Sequence, residues 1–136
     1  MTPTTLTDAD FQVLARVRHF LRSFEAFSEQ AARDAGVAPA QYYLLVMIRG
    51  WSADGAPSIT DLAELLVLRH HSVVELVQRA RAAGLVATTA DPADGRRQLV
   101  HLTPAGEQKV AVLARLHRDE LRRFRGDLAT MSEELR

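Results

Sequence analysis

Apolar residues recur at three- and four-residue steps along most of the chain, the period of helices with one face turned to a core. Phe11, Leu14, Val17, Leu21 and Phe24 form the first stripe, widened by Phe20 and Phe27. Thr7 can cap this helix with Asp10 as reciprocal partner; Met1–Leu6 reads as a loose lead-in, and Ala35-Gly36 marks the end. A helix apolar over so much of its circumference is either well buried in a small domain or offers a face to a second copy. Pro39 opens a second helix, Pro39–Arg49, almost wholly apolar from Tyr43 to Ile48 and therefore central, with Gly50 ending it. Residues 51–57 read as a loop in which Trp51 either lids the core or lines a ligand cavity.

The pattern then shortens. Ser58 can cap a helix with Asp61 as its box partner, and Leu62, Leu65 and Leu66 give it an apolar face. Val67 and Leu68 form a joint, and a further helix runs from about Arg69 to Ala83, closed by Gly84. At 100° per residue Val73, Val77 and Ala80 turn inward, leaving His71, Ser72, Glu75, Gln78 and Arg79 on other faces. Two runs of β-formers, Leu85–Thr89 and Gln98–Leu102, flank a Pro-, Asp- and Gly-bearing turn from Asp91 to Arg97. Thr103 and Pro104 begin a last long helix to about Arg125, striped by Val110, Leu113, His117, Leu121 and Phe124. Its other side carries Arg115, Arg118, Arg122, Arg123 and Arg125. Gly126 is expected to break it, with a short final helix over Asp127–Arg136.

A helix-turn-helix followed by a hairpin is a winged helix, which lays one helix in a DNA major groove. The fold class expected is mainly α with a small β-hairpin wing, the winged helix-turn-helix being flanked by N- and C-terminal helices suited to dimerisation. Candidate DNA contacts are Arg69, His70, His71, Ser72 and Glu75 at the start of the second helix of the pair. Arg79 is as readily an intramolecular ion-pair partner as a phosphate ligand. Arg96 and Arg97 at the wing tip can reach a narrow minor groove, and Asp94 could orient Arg96 by an ion pair.

These words together resemble the multiple-antibiotic-resistance-type (MarR) family of bacterial winged-helix regulators. The resemblance is carried by Leu62-Ala63-Glu64, Leu76-Val77-Gln78-Arg79, Gly84-Leu85-Val86, Asp94-Gly95-Arg96-Arg97 and Leu102-Thr103-Pro104-Ala105-Gly106, with Pro39-Ala40-Gln41-Tyr42 upstream. It implies one MarR-like domain over residues 1–136, with dimerisation helices at 7–35 and 104–136 and a winged-helix DNA-binding lobe at 39–103. It implies a homodimer that binds a pseudo-palindromic operator in double-stranded DNA as a ligand-responsive repressor. Family effectors are typically small aromatic or lipophilic acids held between the two regions, and here Phe20, Phe24, Tyr43, Met47 and Trp51 are placed to line such a cleft. Two departures bear on DNA reading. Val74 and Glu75 stand where many members have Thr and Arg, and Val67 replaces a small residue in the helix-helix turn.

Charge and composition adjust this picture. Formal net charge is zero, not the basic footprint of a typical nucleic-acid binder, but residues 69–97 hold five arginines against three acids. That balance, with Glu75, supports an alternative: a winged helix serving as a protein-interaction or dimerisation module without sequence-specific DNA binding. There is no cysteine, so disulfides, thiolate metal sites and the family's cysteine-based peroxide sensing are excluded. No apolar run approaches the ~20 residues of a membrane span and no signal-peptide pattern opens the chain, so a cytoplasmic protein without a membrane partner is expected. No nucleophile elbow or phosphate loop is present, and adjacent His70 and His71 point about 100° apart on a helix, too divergent to chelate one ion. Neither an enzyme nor a bound metal or cofactor is expected. His19 and His117, on the outer helices, are read as hydrogen-bonded or surface residues before ligand contacts.

Overall fold

A computed structural model describes residues 5–134. Helices α1 (Asp8–Asp34), α2 (Pro39–Arg49), α3 (Ile59–Leu66) and α4 (His70–Ala82) precede strands β1 (Val86–Ala90) and β2 (Gln98–Leu102). Helices α5 (Pro104–Arg123) and α6 (Arg125–Glu134) follow. The start of the expected lead-in, Met1–Thr4, and the last two residues of the expected final helix lie outside the described residues.

Side chains set the helix starts as their sequence spacing requires. Thr7 and Asp10 form a reciprocal capping box on α1, and Ser58 and Asp61 do the same on α3. Thr103 caps α5 by accepting from the Gly106 amide at 3.1 Å. The strands pair antiparallel from Val86↔Leu102 to Ala90↔Gln98. The first strand therefore begins one residue later than its apolar run, because the Leu85 amide donates back to the Ala80 carbonyl at 3.0 Å where the chain leaves α4.

Leu44 and Leu45 of α2 are fully buried and sit with Leu62, Val73, Val77, Ala80, Val100, Val110 and Leu113 in one core that draws on nearly every element. Burial raises the Tyr42 hydroxyl to about 12, with Tyr43 adding to the shift, so this α2 side chain stays neutral. Leu65 departs from the expected apolar face: α3 turns only Leu62 fully inward, and Leu65 is 42% exposed.

The break near the C-terminus falls at Phe124, not at Gly126. The Phe124 amide donates to the Leu121 and Arg122 carbonyls in a tightened turn, and Gly126 lies inside α6. That bend brings α6 back against α1, where Arg16 pairs with Glu134 and the Phe20 and Phe124 rings meet edge to face.

The helix-helix joint holds the only non-glycine residue with positive φ among the described residues, Val67 at φ 55° and ψ 45°. A β-branched residue in the left-handed region is strained, and Val67 is 89% exposed, so burial does not offset the strain. Val67→Gly is expected to raise stability by about 0.5–1 kcal/mol, seen as a higher urea midpoint with an unchanged slope.

Candidate nucleic-acid interface

Helix α4 divides by face. Val73, Leu76, Val77 and Ala80 are buried, whereas Arg69, His70, His71, Glu75, Gln78 and Arg79 are exposed and Ser72 is half-buried. Unlike α1, α3 and α5, this helix has no side-chain cap: its N-cap is Arg69. The Arg69 carbonyl accepts from the Ser72 and Val73 amides at 3.0 and 3.2 Å. The N-terminal end of α4 thus combines open amide donors, a positive dipole end and three exposed basic side chains. Among the described residues Arg69, Arg79 and Arg96 make no ion pair.

The wing is ordered by its own aspartates. The Asp91 carboxylate accepts from the Ala93 amide at 2.9 Å and Asp94 from the Arg96 amide at 3.1 Å, while the Arg97 and Asp94 backbones close the loop at 2.9 Å. The expected Asp94–Arg96 ion pair is not formed. Asp94 is occupied with the backbone, and the Arg96 side chain stands exposed at the tip.

Arg97 does something that its place beside Arg96 does not suggest. Its guanidinium donates to the Ser58 hydroxyl at 3.0 Å and lies 3.7 Å from Asp61 and 3.9 Å from Asp91. It therefore fastens the wing to the capping box of α3 instead of projecting with Arg96. The same seam carries a backbone bond from the Val100 amide to the Pro57 carbonyl at 2.9 Å and a bridge between Ser58 and Leu99. Nothing local in the sequence pairs residues 58 and 97; the one available signal was an arginine without a partner of its own.

The five side chains expected to share an effector cleft are not gathered. Phe20 borders a cavity of about 610 Å³ between α1 and α6, and Trp51 borders a separate one of about 310 Å³ beside β2 and α5. Phe24 stacks on Phe20, and Tyr43 and Met47 pack half-buried against the core. Trp51 is half-buried, with its indole N–H lacking a partner. His19 borders the α1–α6 cavity. His117 is buried, its Nδ1 donating to the Leu113 carbonyl at 2.6 Å and its Nε2 2.6 Å from the Ser28 hydroxyl. No group of three or more potential metal ligands occurs among the described residues, and none of their helices is long and apolar enough to cross a membrane.

Comparison with known proteins points the same way. A MarR family model matches residues 35–97, the span from the end of α1 to the wing. A Thauera aromatica protein, a candidate transcriptional regulator of the hcr operon, is 28% identical over 113 residues, which are 83% of this chain and 64% of that protein. The chain thus spans under two thirds of this relative's length. AbsC, a MarR family transcriptional regulator of Streptomyces coelicolor, superposes with a TM-score of 0.76 over 93% of this chain and 84% of its own, at 22% identity. Bordetella bronchiseptica BpsR, whose DNA binding is regulated by 6-hydroxynicotinic acid, superposes with a TM-score of 0.62 at 28% identity, covering 80% and 83%. With its winged helix matched by the family model and its fold shared by MarR structures over nearly its whole length, the chain is similar to the MarR family of transcriptional regulators.

Proposed function

We propose that two copies of this chain bind a pseudo-palindromic duplex as a ligand-responsive repressor, each α4 in a major groove and each wing beside it. The observation that carries this reading is the divided face of α4, whose apolar stripe is buried while Arg69, His70 and His71 stand exposed around an uncapped N-terminus. Residues 39–103 act as the DNA-binding lobe. Residues 7–35 and 104–136 act as dimerisation helices, a role supported by exposed Phe11, Leu14 and Leu21 on α1 and Val112, Leu116 and Leu121 on α5. Ser72 and Glu75 face the bases, Glu75 accepting from cytosine N4. BpsR supplies the precedent for a small-molecule effector. By linkage, an effector that weakens duplex binding is itself weakened by duplex to the same factor.

Salt titration tests the reading. With Arg69, Arg79 and Arg96 meeting phosphates in each protomer, affinity is expected to fall about a thousandfold between roughly 50 and 200 mM salt. A protein-interaction module shows little duplex binding at any salt. The two wing arginines should separate in the same assay. Arg96→Ala is expected to weaken binding and flatten the salt slope by about one contact per protomer, with stability unchanged. Arg97→Ala is expected to weaken binding while nearly keeping the slope, because it positions the wing and meets no phosphate. Its stability cost should stay below about 1 kcal/mol, as its ion pairs are half-exposed.

A further inference from the structure

The joint between α3 and α4 keeps a strained valine in the left-handed region, 89% exposed, between Leu65 and Leu68, which are each a little under half exposed. Glycine or asparagine would make the same turn with less strain, and in the free chain the valine side chain covers almost nothing. Strain held at an exposed position points to a contact made outside the chain. Val67 lies three residues before His70, so its Cα is at most about 11 Å from the first residue of α4. That distance is within the breadth of a major groove, about 12 Å.

Whatever covers this apolar patch must also accept Arg69, His70 and His71, which are exposed beside it. A duplex does both, since it offers phosphates for the cations and, at thymine alone among the bases, a methyl group in the major groove. Resting on the DNA-binding reading above, we propose that Val67, backed by Leu68, is a specificity-determining contact to the 5-methyl group of one thymine in each half-site.

The test uses the duplex that the purified full chain recovers from a random pool, with each thymine replaced in turn by deoxyuridine. One thymine per half-site is expected whose loss of methyl weakens wild-type binding about fourfold, the value of one buried methyl group. Val67→Gly should bind the thymine and deoxyuridine duplexes equally. Because each protein is compared with itself on two duplexes, any looseness that glycine adds to the turn cancels. Val67→Ala, which keeps Cβ and loses both methyls, should behave like the glycine variant. If no thymine couples to Val67, so that the variants respond to every deoxyuridine as wild type does, the contact is wrong and duplex binding stands. If the wild-type chain recovers no duplex, the DNA-binding reading falls and the contact falls with it.

Discussion

Gly106→Ala is expected to cost roughly 3 kcal/mol or more, since Gly106 is the one glycine whose added Cβ would overlap another backbone. A Cβ at Gly106 would stand 2.1 Å from the Leu85 carbonyl oxygen and 3.1 Å from its carbon, both backbone atoms. That carbonyl cannot retreat freely, because it accepts from the Thr103 amide at 3.1 Å while the Thr103 hydroxyl donates to the Gly84 carbonyl at 2.6 Å. The start of α5 is thus clamped onto the exit of α4, and glycine is the residue that lets the two backbones touch. Urea unfolding measures the cost. Gly126→Ala is the control: no atom lies within 4 Å of its added Cβ, and in α6 it should stabilise by about 0.5–1 kcal/mol. If Gly106→Ala unfolds at the wild-type urea concentration, the close approach is not a constraint.

His117→Ala should cost about 3 kcal/mol, and Ser28→Ala about 1–2 kcal/mol. The imidazole joins α1, α2 and α5: it stacks on Tyr42 at 4.6 Å and meets Phe24 and Phe27 edge to face at 5.8 and 5.6 Å. Because a carbonyl can only accept, Nδ1–H is spent on Leu113, and Nε2 accepts a hydrogen bond from the Ser28 hydroxyl. Deleting the ring opens a cavity and leaves the buried Ser28 hydroxyl without its partner, whereas deleting the hydroxyl loses one hydrogen bond. The two losses should therefore be less than additive in the double variant. Additive losses would show that the ring and the hydroxyl act separately.

Local chemistry was legible in the sequence. The capping pairs Thr7/Asp10 and Ser58/Asp61, Pro39 at the start of α2, and the inward stripe of α4 all depend on residues within a turn or two of each other. Their positions in the fold follow from spacing alone. Contacts across the fold were not legible. Arg97 meets Ser58 across 39 positions and His117 meets Ser28 across 89, and neither pair leaves a periodic trace. Gly106 was visible as part of a motif, but its reason, a backbone 85 residues into the chain, was not. Gly126 misled for a related cause. An isolated glycine usually marks a stop, yet here the stop is set two residues earlier by the packing of Phe124 on Phe20.

The seam that ties the wing to α3 reaches beyond the wing itself. Held by Arg97, by the Pro57–Val100 bond and by the Ser58–Leu99 bridge, hairpin and helix pair travel as one jaw. On the proposed reading, in which two copies grip one duplex, these ties would leave an effector the spacing between the two jaws to act on. If the gap of the caliper is what an effector adjusts, operators that differ only in the number of base pairs between half-sites should rank differently with and without effector.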